Sequence, residues 1–159
     1  YRNTGRTKRL GIEYCLKHIF SNKLVIQTSA SLHQFTFAAD EMDLINLNGK
    51  RLPGLPLFKG GLTADWKLTE KLNVNIQQQI ISKIFTNNEN SSFQRSIQLT
   101  NISVKYTMKK NQFWWSPYFG VQNVFRTEYA DNIRINAFGE RYYEAAPRGV
   151  IYGGLKMGW

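Results

Sequence analysis

The chain has 159 residues, with 21 Lys and Arg against 11 Asp and Glu, for a formal net charge of +10. That length bounds a single domain, the lone Cys15 excludes an intramolecular disulfide and CxxC metal chemistry, and no stretch nears the roughly 18 consecutive apolar residues of a membrane helix. The excess of base invites nucleic acid, anionic lipid or an acidic ligand as partner, while 14% aromatic residues and four Trp suit a protein with membrane-interface belts.

The first predicted strand runs from Arg9 to Phe20, where Leu10, Ile12, Tyr14, Leu16 and His18 alternate with Gly11, Glu13, Cys15 and Lys17. A short turn at Ser21-Asn22-Lys23 leads to a second, from Leu24 to about Phe37. A long polar loop follows. It carries Asp40-Glu41-Met42-Asp43, whose oxygens could hold Ca²⁺ but lack EF-hand spacing and read as a solvated loop. It ends in Leu52-Pro53-Gly54-Leu55-Pro56, where two prolines exclude a central strand.

The third strand, Leu57 to Leu68, sets Phe58, Leu62, Ala64 and Trp66 against Lys59, Thr63, Asp65 and Lys67. After the turn Thr69-Glu70-Lys71, a fourth runs from Leu72 to about Ile84. The polar loop from Thr86 to Ser92 precedes a fifth, ending in Ile102, Val104 and Tyr106. Lys109-Lys110-Asn111-Gln112 turns the chain into a sixth, containing Trp115, Phe119 and Val121 and weakened by Pro117. A long segment from Arg126 to Pro147 precedes a closing strand, in which Ile151, Gly153, Leu155 and Met157 share one face before Trp159.

About seven strands result, and no window fits a helix period better. Connections alternate short and long, as in a membrane barrel with tight turns at one end and long loops at the other. Glu13, Lys17, Lys59, Asp65, Lys67, Lys105 and Lys156 all fall opposite the apolar set. A lipid-facing Lys near the bilayer midplane would cost about 2–4 kcal/mol, and a wet lumen removes that cost. With the short turns at one end, Phe20, Trp66, Tyr106, Trp115 and Trp159 fall together there as an interfacial girdle. The fold expected is all-β: an antiparallel, up-and-down transmembrane β-barrel segment of about seven strands, an incomplete barrel.

Four motifs in order carry a family resemblance. They are Gly11-Ile12-Glu13 after the basic segment that starts at Asn3; Arg51-Leu52-Pro53-Gly54-Leu55-Pro56; Gly120-Val121-Gln122-Asn123-Val124-Phe125 followed by Tyr129; and Asn136 to Arg148 around Arg141-Tyr142-Tyr143-Glu144. With the terminal strand, they resemble the C-terminal part of a TonB-dependent outer-membrane receptor. Ala145, Gly149 and Trp159 depart from the family's usual Pro, Asn and Phe. The resemblance implies a barrel of about 22 strands with a plugged lumen, of which residues 1–159 would be the C-terminal portion. The plug and the TonB-contacting segment are expected elsewhere, and an opening Tyr1 agrees with a fragment or processed product.

The function so implied is uptake of a scarce substrate, a ferric siderophore or other iron chelate, coupled to TonB in the full-length protein. Lys50, Arg51, Arg126, Arg134, Arg141, Tyr142 and Tyr143 are the loop candidates for an anionic chelate, through charge-assisted hydrogen bonds and stacking. Contacts with lipopolysaccharide phosphate, or ion pairs of Arg141 or Arg148 with Glu144, would occupy the same side chains. Ile151, Leu155, Met157, Trp159, Trp66, Tyr106 and Trp115 are the candidates for contact with outer-membrane lipid and for recognition by the barrel-assembly machinery. Neither cofactor, metal nor catalytic residue is expected: His18 and His33 fall on different faces, and no Ser has a nucleophile-elbow context. The alternatives are a porin-like barrel without TonB coupling and a soluble basic β-domain binding nucleic acid, the latter marked by a steep salt dependence.

Overall fold

The computed structural model describes residues 6–38 and 46–159; Asp40-Glu41-Met42-Asp43 and the start of the first motif lie outside them. In chain order the strands are β1 (Thr7–Ser21), β2 (Leu24–Phe37), β3 (Phe58–Lys67), β4 (Leu72–Ile81), β5 (Ile84–Phe85), β6 (Phe93–Gln94), β7 (Ile97–Tyr106), β8 (Met108–Lys110), β9 (Phe113–Gln122), β10 (Ala130–Ile133), β11 (Tyr143–Ala145) and β12 (Val150–Gly158). One antiparallel sheet takes the order β1-β2-β3-β4-β7-β9-β12, with β8 continuing β7 against β9. This is an up-and-down wall that does not close on itself: β1 and β12 each pair on one side only. The four small strands form two ribbons, β5-β6 and β10-β11, inside the long connections.

Register makes the alternation of each strand coherent across the wall. One row runs His18, Ile26, Ala64, Ile76, Ile102, Val121, Ile151 through seven strands. The next row toward the opposite face runs Lys17, Gln27, Thr63, Gln77, Asn101. Because side chains repeat with period two, one face is mainly apolar, with His18 and the hydrogen-bonded Gln78 and Thr100 among its polar members, and the other mainly polar. The apolar face is bare: Leu10, Ile12, Ile151 and Met157 are each at least 70% exposed. A water-facing sheet would bury such a face; lipid is the solvent that suits it.

The few buried apolar side chains sit at the end of the wall with the long connections. Phe37, Ile84, Ile97 and Tyr142 are the buried hydrophobics among the described residues, joined there by buried Thr86, Gln94 and Asn123. At the other end the tight turns lie beside Phe20, Trp66, Tyr106, Phe113 and Trp115.

Prolines bend this plan at two places. Between β2 and β3 the ladder holds from Leu24 opposite Trp66 to Leu32 opposite Phe58, with His33 N–H still donating to Leu57 O at 2.8 Å. Pairing then resumes two residues on, Leu52 N–H to Phe35 O and Phe37 N–H to Lys50 O, both 2.9 Å. The Pro53-Gly54-Leu55-Pro56 stretch is thus an excursion from a continuing edge, because two prolines remove two donors. The second place is Pro117. Lys105 faces Tyr118 and Met108 faces Trp115 in one unbroken register, but the ladder lapses between them, opposite the residue without an N–H. The fourth strand expected to reach Ile84 stops at Ile81, where Ser82 N–H turns to Phe58 O (2.9 Å) and the chain starts the β5-β6 ribbon.

Candidate functional site

Two surfaces can meet a solute: the polar face of the wall and the long-loop end above it. Shallow hollows on the polar face are lined by carboxamides and hydroxyls, Gln27, Ser29, Thr63, Gln77, Gln79 and Asn101 among them. Nearby, Asp65 accepts a hydrogen bond from Asn75 Nδ2 at 2.7 Å, and Glu13 Oε1 lies 2.9 Å from His33 Nε2, whose ring stacks on Phe35 at 5.1 Å. Aromatic rings cover three of the glycines on this face: Tyr152 over Gly120, Tyr118 over Gly154, and Trp114 over Gly158. Rings lying flat on the sheet need a neighbour without a Cβ, which explains small residues in a wall otherwise filled by larger ones.

At the long-loop end three connections are tied into one body. The Asn90 carboxamide accepts from Arg51 N–H at 2.8 Å and donates to Arg51 O at 2.9 Å, joining the first loop to the second. Gly54 N–H donates to Phe85 O at 2.8 Å. The second loop meets the third through Asn136, whose N–H donates to Thr86 O (2.9 Å) while its carboxamide exchanges bonds with Asn88 N–H and Asn88 Oδ1, both 3.0 Å. Asn90 and Asn136 have φ of 59° and 52°, a left-handed conformation that Asn tolerates better than bulkier residues. The Asn-rich segment that the sequence marks only as a polar loop is therefore the fastener of the assembly.

The sequence-predicted loop residues divide among separate settings. Arg51 is half-buried, its guanidinium 5.7 Å from the centre of the Phe85 ring, and burial holds its pKa below the ordinary arginine value. Arg134 pairs with Glu144 at 2.5 Å; the Arg134 hydrogen bond, with a second from Asn132, holds the Glu144 carboxyl below the usual carboxylate range. Glu144 thus meets Arg134, while Arg148 pairs with Glu128 at 2.7 Å. Tyr142 is only 8% exposed, packed edge-on to the half-exposed Tyr143 at 6.1 Å. Lys50, Arg126 and Arg141 are exposed.

Lys83, Phe85 and Phe93 went unnoticed in the sequence. The Lys83 ammonium lies 4.8 Å from the Phe85 ring centre and 5.0 Å from that of Phe93, and the two rings meet edge to face at 6.3 Å. With Arg51 on the same Phe85 ring, two cations gather on the two aromatic rings of the β5-β6 ribbon. The signal was the lost alternation at Ser82-Lys83-Ile84, where the period-two pattern of β4 fails.

The terminal candidates take wall positions. Ile151, Leu155 and Met157 face Val121, Pro117 and Trp115 on the apolar side; Trp66 faces Leu24 and Val74, and Tyr106 faces Leu72. Trp159 stands one residue past β12 and is exposed.

No protein-family model matches the chain. Its structure is similar to that of the siderophore receptor PiuA from Acinetobacter baumannii, at TM-score 0.79 and 17% identity over 98% of this chain and 22% of that one. BauA, the ferric preacinetobactin receptor of the same organism, gives 0.79 and 14% over 98% and 23%. FyuA, the ferric yersiniabactin uptake receptor of Yersinia pestis, gives 0.74 and 17% over 98% and 24%. The chain thus spans less than a quarter of the length of these structures, and shares the fold of that part. The resemblance carried by the four motifs holds at the level of fold.

Proposed function

We propose that this chain is a portion of the barrel of a TonB-dependent outer-membrane receptor, and that the full-length protein binds and takes up a ferric siderophore or related iron chelate. The observation that carries this reading is the division of the molecule: a bare apolar face, a polar opposite face, and a cross-tied loop assembly of cations and aromatics at one end only. The similar solved structures are receptors for iron chelates by their names.

In this reading lipid and lipopolysaccharide surround the apolar face, and the polar face lines the lumen against a plug. The first contact with an anionic chelate falls to Lys83, Arg51, Phe85 and Phe93, where charge and π faces coincide. Lys50, Arg126, Arg141 and Tyr143 form a more exposed second tier. Arg134, already engaged by Glu144, orders the third loop instead of binding. The barrel-assembly machinery would read the β12 segment with its apolar side chains and Trp159.

The test is iron-limited growth of a Gram-negative host carrying the full-length gene, supplied with single ferric chelates, with and without functional TonB. Growth on at least one chelate that requires TonB supports the proposal. Passage independent of TonB favours the porin-like alternative, and a protein recovered outside the membrane fraction overturns both.

A further inference from the structure

Arginine and lysine share the long-loop end of the wall, where Lys50, Lys59 and Lys83 lie among the arginines, but the turn end holds lysine alone. The long-loop end carries Arg51, Arg126, Arg134, Arg141 and Arg148, whereas the turn end carries Lys23, Lys67, Lys71, Lys109 and Lys110 and no arginine. Backbone bonds tie each turn to the next strand: Lys67 N–H donates to Lys23 O, and Thr107 N–H to Lys71 O, both at 2.7 Å. Lys110 faces Phe113 across the β8-β9 ladder, on the side that carries exposed Trp115 and Met157, while Lys109 faces Trp114 on the polar side. Lys23, Lys71, Lys109 and Lys110 are all exposed, and Glu70 is the one acid in these turns. The ion pairs of the described residues lie elsewhere, at His33, Arg134 and Arg148.

We propose that Lys23, Lys71 and Lys110 form a collar that binds the phosphate headgroups of anionic phospholipid at the turn end of the wall. The inference rests on the membrane reading proposed above. The collar stands just beyond the aromatic row of Phe20, Trp66, Tyr106, Phe113 and Trp115, whose rings mark headgroup depth in a membrane-spanning sheet. Successive turns are two strand spacings apart, about 10 Å, which is close to the screening length at physiological salt, so neighbouring lysines act on the same headgroups. Lysine is a flexible point charge without the planar fork that suits a fixed bidentate anion. Three such charges spread along a rim, and not converging on one pocket, fit a laterally mobile layer of phosphates better than a single bound anion.

The experiment uses the full-length protein reconstituted in mixed vesicles, with spin-labelled phosphatidylglycerol and phosphatidylcholine as probes of the lipid shell. The expected result is a preference for phosphatidylglycerol of roughly fivefold at low salt, largely lost at about 0.5 M salt. The variant K23Q/K71Q/K110Q should lose most of that preference, while K105Q/K109Q/K156Q, which removes three charges from the polar face at the same end, should keep it. Equal association of the two lipids, or an equal drop in both variants, overturns the proposal; the first assigns the collar to an acidic protein partner and the second reduces it to net charge. Failure of the protein to float with vesicles at all overturns the membrane reading and the collar with it.

Discussion

The carboxamide of Asn90 clasps the backbone of Arg51, taking its N–H at 2.8 Å and giving a bond to its carbonyl at 2.9 Å across 39 residues of sequence. It does with one side chain what a β-bridge does with two backbones, and it holds the Arg51 guanidinium against Phe85. Asn90→Ala removes both bonds and leaves a left-handed residue without its usual tolerance, at a cost of about 2–3 kcal/mol to the loop assembly. Asn90→Gly relaxes the backbone and loses only the bonds. The expected order of loop cleavage by trypsin in the full-length protein is Ala fastest, Gly intermediate, wild type slowest; equal rates would remove the clasp from the account.

Thr107 and Ser116 should behave as a unit. Their hydroxyls meet at 2.6 Å beside the lapse opposite Pro117, and Ser116 is buried. Ser116→Ala or Thr107→Val strands the remaining hydroxyl, with an expected loss of about 1–2 kcal/mol in urea unfolding from vesicles. The double variant should lose clearly less than the sum of the two, since neither polar atom is then left alone. Strict additivity would show that the hydroxyls do not interact.

Gly54 joins the excursion of the first loop to the third. Its φ is +78°, and an added Cβ would fall on the Ile135 side chain. Gly54→Ala should weaken the assembly by about 1–2 kcal/mol through the left-handed backbone alone, more where Ile135 cannot yield. Faster hydrogen exchange at the amides of both Phe85's neighbours and Asn136 is the expected readout. A change confined to the first loop would cut the proposed link.

The Arg134 to Glu144 contact gives a pH dependence with a definite sign. Its hydrogen bond holds the folded-state carboxyl pKa low, so the tie is fully present above the ordinary glutamate range and is lost as pH falls through that range to the lower folded value. Both side chains are exposed, so the effect is local to the β10-β11 ribbon. Amide exchange in that ribbon, compared with Glu144→Gln at each pH, should be slower in the wild type at neutral pH and converge with the variant in acid. Convergence at neutral pH instead would place the order of the ribbon in its backbone.

The wall was readable in the sequence because its rule is local: a period of two, interrupted by turns, places Glu13 and Lys105 on one face and Leu10 and Ile151 on the other without knowledge of any partner strand. Pro117 was legible for the same reason, as a missing donor. The loop assembly was not. Asn88, Asn90 and Asn136 bond to residues 39 to 48 positions away, and composition alone makes an Asn-rich run look like solvent-facing chain. The cluster of Lys83, Phe85 and Phe93 escaped because it depends on the β5-β6 ribbon folding back on itself. The partner of Glu144 escaped because β10 and β11 had to be paired before Arg134 could be seen beside it.

Each wall strand touches only the wall strands before and after it in sequence. Under mechanical load such a wall has no shared core to fail all at once. A pull applied at one of the tight turns would peel hairpins one at a time, with separate force peaks for β3 with β4 and for β8 with β9, and with contour-length steps set by the hairpin lengths. The loops, cross-tied at the far end, would give way last and together.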